Sequence, residues 1–290
     1  MHEPVLLHEV LDGLEIEDGD IVLDMTLGAG GHSRAILSSG KNIRLIGIDQ
    51  DDAALAIAKE TLSPWKDKII FVRGNFRDAE KLLAEIGISK VNKILFDLGV
   101  SSMQLDDAKR GFSFRHNAPL SMQMSSDAKF SAKDIVSGWD EADIANVIFA
   151  YGEERKARTI AKAIVRARKE RPIETTFELA DIVGNAIGRK PWMKTNPATK
   201  TFQALRIAVN DELGSLKSGL TAAHDLVLPG GRIAVISFHS LEDRIVKNFM
   251  KEKVETGDTI LSKKPIIASE DEENRNPRSR SAKLRIIKIA

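Results

Sequence analysis

Ile21-Val22-Leu23-Asp24-Met25-Thr26-Leu27-Gly28-Ala29-Gly30-Gly31-His32-Ser33 is the stretch whose reading decides the fold class. A short apolar run reads as a buried strand. Glycines at 28, 30 and 31 let the backbone turn tightly and approach a ligand without Cβ clashes. Ser33 to Leu37 then opens a helix. Outward from this unit the same alternation repeats. Ile43 to Ile48 reads as a second strand ending at Asp49, and Asp51 to Leu62 as a helix. Ile69 to Val72, Ala79 to Ile86 and Ile94 to Leu98 give a third strand, a third helix and a fourth strand. Strands alternating with helices predict βαβ units and a parallel sheet with helices on both faces.

The alternation stops near Gly99. From residue 105 to about 205 the apolar residues recur at helical spacing, as in Ile144, Val147, Ile148 and Tyr151, and in Ile160, Ala161, Ile164 and Val165. Thr175 and Glu178 have the spacing of a helix cap. Strand patterns return at Ile233 to Phe238, after a turn expected at Pro229-Gly230-Gly231, and at Ile286 to Ile289. The expected organisation is therefore a sheet domain, residues 1–104 and 207–290, with a helical insertion over 105–206 after the fourth strand.

Asp49 lies 21 residues beyond Gly28, at the end of the second strand. A carboxylate there can accept hydrogen bonds from both ribose hydroxyls of an adenosine. Loop and acid together indicate an adenosine-containing cofactor. A dinucleotide would place its pyrophosphate near Asp24, whose charge opposes it. An ammonium-bearing ligand such as S-adenosylmethionine suits that carboxylate, so a methyl donor is favoured over NAD and an NAD-dependent oxidoreductase is the disfavoured reading.

The 290 residues carry a net charge of +1, which hides an asymmetry. Residues 105–206 hold 18 Lys and Arg against 13 Asp and Glu, a net of +5, so the remainder carries −4. Residues 155–171 hold eight bases and one acid, residues 182–210 five bases and no acid, and the tail after Glu273 six bases and no acid. Such clusters are the footprint of phosphate contacts. Phe112 and Phe114 read equally as core residues or as platforms for an extruded base. The chain has no cysteine, which excludes disulfides, zinc–thiolate sites and thiol chemistry. No run of 18 apolar residues and no secretory leader pattern is present, so a cytoplasmic protein with no membrane association is expected. Asp106, Asp107, Glu153 and Glu154 read as solvated charges or as partners of Arg110 and Arg155, and no metal site is expected.

Longer strings carry a resemblance. They are His2-x-Pro4-Val5-Leu6-Leu7, Asp24-x-Thr26-x-Gly28-x-Gly30-Gly31-His32-Ser33, Asp97-Leu98-Gly99-Val100-Ser101-Ser102, Arg110-Gly111-Phe112-Ser113-Phe114, Tyr151-Gly152-Glu153-Glu154-Arg155, Thr201-Phe202-Gln203-Ala204-Leu205-Arg206, Ser237-Phe238-His239-Ser240-Leu241-Glu242-Asp243-Arg244 and Asn276-Pro277-Arg278-Ser279-Arg280-Ser281. Over nearly its whole length the chain resembles the bacterial small-subunit rRNA cytosine-N4 methyltransferases. The resemblance implies an α/β, Rossmann-like class I methyltransferase sheet with a helical insertion. It implies S-adenosylmethionine as cofactor, held by Gly30, Gly31, His32, Asp49, Phe76, Asp97 and Gln104. The reaction implied is N4-methylation of a cytidine in the decoding region of small-subunit rRNA, with Asp97, Ser102 and His239 as catalytic candidates. Arg110, Arg115, Lys200, Arg206, Arg278 and Arg280 are the RNA-contact candidates. The expected partner is small-subunit rRNA or the assembled small subunit, and a homodimer is compatible with the sequence. Three positions depart from the family pattern: Met103 replaces a proline, Ser121 an acid and Gln123 a base. The last two read either as a coupled swap of an ion pair for two neutral polar groups or as changes that reduce catalysis or alter the substrate, and they motivate an alternative, a catalytically weakened RNA-binding or ribosome-assembly protein of the same fold.

Overall fold

A computed structural model of the protein describes residues 4–188 and 196–290, and of Ser102 only the backbone. His2 and the bases Arg189, Lys190 and Lys194 lie outside the described residues. The chain divides into two compact units, residues 1–99 with 213–290 and residues 100–212. The divisions fall a few residues from the expected 104/105 and 206/207. Two local features lie at the divisions. Ser101 and Gln104 cap each other's backbone at the start of the helix Ser102–Asp106, and the helix Thr199–Asn210 runs on past Arg206.

The first unit is built on seven strands: β1 (Ile21–Asp24), β2 (Arg44–Asp49), β3 (Ile69–Arg73), β4 (Val91–Asp97), β5 (Val227–Ser237), β6 (Thr259–Ile260) and β7 (Lys283–Lys288). Their order across the sheet is β3-β2-β1-β4-β5-β7-β6. β1 to β5 are mutually parallel, while β7 runs antiparallel to both β5 and β6. This is the Rossmann-like α/β class read from the sequence. From β1 the chain first builds towards β3 and then returns to place β4 on the other side. The carboxyl ends of β1 and β4 therefore flank the switch point, where open α/β sheets bind ligands.

Alternation along the strands distributes the side chains to two cores. Ile94 and Phe96 of β4 join Leu23, Ile46, Ile48 and Val235 on one face. Leu95 joins Val22, Leu45, Ala234 and Ile236 on the other. With both faces covered the central strands are continuously apolar, as a buried parallel sheet requires. Each fully buried Leu, Ile or Phe contributes on the order of 1.5–3 kcal/mol.

The turn expected at Pro229-Gly230-Gly231 is instead a bulge inside β5. Two steps along β4, Val91 to Lys93, face five along β5, Val227 to Arg232. Gly230 has φ +78, and a Cβ on Gly231 would lie 2.4 Å from the carbonyl oxygen of Asn92. The glycines let the strand bend and stay paired.

The second unit is helical and has its own core. Ile144, Ile148, Ile160, Ala161, Ile164, Leu179, Val183, Phe202 and Leu205 are buried together. In the helix Ala157–Glu170 the buried residues Ala157, Ile160, Ala161 and Ile164 form one stripe, which leaves the bases on the other faces. Thr175 accepts the amide of Glu178, whose carboxylate accepts the amide of Thr175, so the cap read from the spacing opens the helix Thr176–Ile187. Phe112 is buried in this core, and Phe114 packs edge-on to Phe202 with ring centres 5.2 Å apart. Phe112 thus serves the core, and the half-buried Phe114 packs against its edge. No helix among the described residues is long and apolar enough to cross a membrane.

Candidate active site

The glycine loop leaves β1 at Asp24 and enters the helix Gly31–Ser38. Gly28 and Gly30 adopt left-handed backbone, φ +53 and +80. A Cβ at Gly30 would also lie 2.9 Å from Leu62. The loop is pinned from two sides. The Gly28 amide donates to Asp49 Oδ2 at 2.8 Å, and the Gly30 amide to the carbonyl of Leu27 at 2.8 Å.

Asp49 sits at the end of β2 with Oδ1 accepting the amide of Asp51 at 2.8 Å. Burial pushes its carboxyl up to about 6 despite these donors. Each oxygen retains a second lone pair, so the group fits as an acceptor for ribose hydroxyls. Asp51, and not Asp49, caps the following helix by accepting from Ala53.

Asp24 departs from the role expected of it beside a ligand ammonium. It is 2% exposed, and its oxygens accept from the Ser33 hydroxyl at 2.7 Å and the Thr26 amide at 3.1 Å. Burial raises its carboxyl to about 6. It is a buried brace between the first strand and the helix.

Asp97 ends β4, with its amide donating to the Thr26 hydroxyl at 2.6 Å. About a third of its side chain is open, yet Oδ1 is buried and has no hydrogen-bond partner among the described residues. Burial lifts its carboxyl to about 7, and the charges of Asp24 and Glu242 push in the same direction. His32 Nε2 lies 3.6 Å from Asp97 Oδ2. The imidazole is 6% exposed, neither nitrogen has a hydrogen-bond partner among the described residues, and burial lowers its pKa to about 4. A neutral imidazole beside a carboxyl that titrates near neutrality is thus held at the switch point. Unpaired polar atoms are costly in a packed interior unless something binds to them.

The other candidates divide. Phe76 follows β3, half-buried, with its ring edge-on to Phe96 at 5.6 Å and against Gly219. His239 caps the helix Ser240–Val254: Nδ1 accepts the Glu242 amide at 3.4 Å, while Glu242 Oε2 accepts the amides of Phe238 and His239. His239 Nε2 is buried and lies 3.3 Å from Glu242 Oε1. Gln104 belongs to the second unit, where Oε1 accepts the Ser101 amide at 3.0 Å. The backbone of Ser102 opens the same helix, and its side chain lies outside the described residues.

Two of the RNA-contact candidates are committed within the insertion. Arg206 forms a two-pronged pair with Glu212, Nε to Oε1 at 2.8 Å and Nη2 to Oε2 at 2.9 Å, with side chains 16% and 10% exposed. Arg110 donates to the carbonyls of Gln123 and Met124. Part of each guanidinium is thus taken up by acceptors within the second unit, which counts against their reading as phosphate ligands. Arg115 and Arg280 are exposed. Lys200 is also exposed and donates to the carbonyl of Glu153 at 3.0 Å. Arg278 is half-buried, with Nη1 buried. Ser121 and Gln123, two of the departures from the family pattern, are joined to each other. The Ser121 hydroxyl donates to Gln123 Oε1 at 2.8 Å, and the Gln123 amide donates to the carbonyls of Ala128 and Phe130.

The family model for MraW methylases matches residues 1–290. The chain belongs to the MraW methylase family. Curated relatives agree in extent. A ribosomal RNA small subunit methyltransferase H of Deinococcus deserti is 50% identical, covering 98% of this chain and 92% of its own. Proteins of the same name from Trichormus variabilis and Paenibacillus sp. are 48% identical, each over 98% of this chain and over 90% and 98% of their own lengths. As an MraW-family methylase the chain is a methyltransferase, and its methyl donor is S-adenosylmethionine. The residues present fit that donor: a glycine cradle, an acid at the end of β2, and unpaired buried polar atoms between them and β4.

Proposed function

We propose that the chain methylates N4 of a cytidine in the decoding region of small-subunit rRNA. The names of the relatives support the rRNA substrate, and the family resemblance supports the N4 position. Gly30, Gly31, His32, Asp49, Phe76, Asp97 and Gln104 are assigned to hold S-adenosylmethionine. When bound, that cofactor supplies an electrophilic methyl group on a sulfonium. The exocyclic amine is a poor nucleophile because its lone pair is delocalised into the ring. It must be held with that lone pair aimed at the methyl carbon. The N–C bond forms as the C–S bond breaks, and the amine gives up one proton.

The observation that carries the reading is Asp97, a carboxyl at the switch point with one buried, unpaired oxygen and a pKa near 7. Its role is to accept the amine proton and to offset positive charge as it develops on N4. His32 stays neutral beside it and leaves its charge uncompensated. Ser102 and His239 Nε2 are assigned to orient the base. Arg115, Lys200, Arg278 and Arg280 are assigned to rRNA phosphates, and the protein acts in the cytoplasm on small-subunit rRNA or the assembled subunit. Asp97→Asn tests the central role. Transfer to unmodified small subunits should fall by about 10²–10⁴-fold, the usual worth of a positioned acid–base group, while calorimetric S-adenosylmethionine affinity stays within a few-fold. Turnover close to the parent's would overturn the assignment.

The binding-protein alternative rests on Ser121 and Gln123. Their mutual hydrogen bond and the grip of Gln123 on two carbonyls support a neutral substitute for the family's acid and base, and hence an active enzyme.

A further inference from the structure

Leu6 is fully buried, and its backbone is left-handed, φ 53 and ψ 38, just before the helix Leu7–Leu14. A leucine in that conformation is strained and needs outside support. Inside its own helix the residue gains one bond, its carbonyl accepting the amide of Val10. Its amide donates at 2.7 Å to Oε1 of Glu272, a buried carboxylate 266 residues away. No sequence pattern links the two positions.

Both ends of this bond are anchored. Two residues before Leu6, Pro4 packs on the glycine loop so closely that a Cβ on Gly31 would lie 2.9 Å from Pro4 Cγ. Glu272 lies in the helix Glu270–Arg275. Its amide donates to the Ser269 hydroxyl, and its carbonyl accepts the amide of Asn276. The carbonyl of Asn276 in turn accepts the amide and the hydroxyl of Ser279. Ala282 donates to the carbonyl of Ser279 and leads directly into β7. The strained strap over Gly31 is thereby fastened to a strand of the sheet.

We infer that Glu272 is a positioning residue for methyl transfer: through the Leu6 amide it presses Pro4 onto Gly31 and fixes the cofactor loop from behind. Glu272 touches neither substrate nor cofactor and acts on the donor site alone. The inference rests on the glycine loop being the cofactor cradle.

Glu272→Ala removes the acceptor, whereas Glu272→Gln keeps an amide oxygen for the Leu6 N–H. Isothermal titration of the full chain with S-adenosylmethionine should show Glu272→Ala binding about tenfold more weakly, the equivalent of one lost buried hydrogen bond. The KM for the cofactor should rise with it, while kcat at saturating cofactor stays within about twofold. Glu272→Gln should recover most of the affinity, and hydrogen exchange over residues 4–14 should quicken in Glu272→Ala only. Pro4→Ala should weaken binding as well, and the double variant should lose less than the product of the two single losses. Equal affinity of Glu272→Ala and parent, an equal loss in Glu272→Gln, or independent effects of Pro4→Ala and Glu272→Ala would overturn the inference. Gly30→Ala separates the two levels. If it weakens cofactor binding while Glu272→Ala does not, the strap alone fails; if neither affects binding, the cradle reading falls with it.

Discussion

Removing the Ser33 hydroxyl should destabilise the protein in a pH-dependent way, because that hydroxyl serves a buried carboxylate. Asp24 is 2% exposed, and Ser33 donates to it at 2.7 Å. Burial dominates and raises its pKa from 3.8 to about 6; the Ser33 and Thr26 bonds pull in the opposite direction. The native state therefore prefers the protonated acid. Its stabilising contribution is complete below the unfolded pKa of 3.8 and is lost as pH rises to about 6. The loss amounts to ~3 kcal/mol at ~1.4 kcal/mol per pKa unit. A hydrogen bond to a charged group is worth about 1.5–3 kcal/mol and one to a neutral group about 0.5–1.5. Ser33→Ala should therefore cost ~2–3 kcal/mol at pH 8, where Asp24 is ionised, and ~1 kcal/mol at pH 5, where it is largely protonated. The difference corresponds to a further rise of the Asp24 pKa by roughly one unit. Urea unfolding of parent and variant at the two pH values measures this directly. Equal destabilisation at pH 5 and pH 8 would refute the reasoning, since the hydroxyl would then not be serving a charge.

Other outcomes follow from the same geometry. Gly30→Ala forces a non-glycine residue to φ +80 and drives a methyl towards Leu62; it should cost ~1–3 kcal/mol of stability and weaken cofactor binding, read by thermal unfolding and calorimetry. Arg206→Ala strands Glu212 in a largely buried setting and should cost ~3 kcal/mol, and Arg206→Lys should not restore it because the fork geometry is lost; an Arg206→Lys variant as stable as the parent would count against the pair. In RNA binding, Arg280→Ala should lower the log–log salt slope by about 0.7–1, whereas Arg206→Ala, once corrected for folding, should leave it unchanged. Transfer measured against pH should rise through about 7 as Asp97 deprotonates, and Asp97→Asn should abolish that rise.

Much of the fold was legible because it is written in short-range patterns. Each βαβ unit announces itself as an apolar run, a turn and a helical repeat, and the Thr175–Glu178 cap follows from spacing alone. β6 spans only Thr259–Ile260, too short for any period to show. The β5 bulge uses Pro and Gly, the residues that would equally make a turn. In the site, strand-end acids and the glycine loop could be located from the sequence. The partners of side chains could not. Arg206 is basic in a basic region, but its fork closes on Glu212. Asp24 carries a charge beside the loop, but it turns inward to Ser33. Glu272 and Leu6 meet only because β7 and the first helix are brought together by folding.

The central claim is tested most directly by the product. Unmodified small subunits are incubated with the protein and labelled S-adenosylmethionine, and the rRNA is digested to nucleosides for mass spectrometry. The account predicts label in N4-methylcytidine from one position of the decoding region, absent with Asp97→Asn. Label in a ring-carbon or ribose-methylated nucleoside, or transfer undiminished by Asp97→Asn, would contradict it.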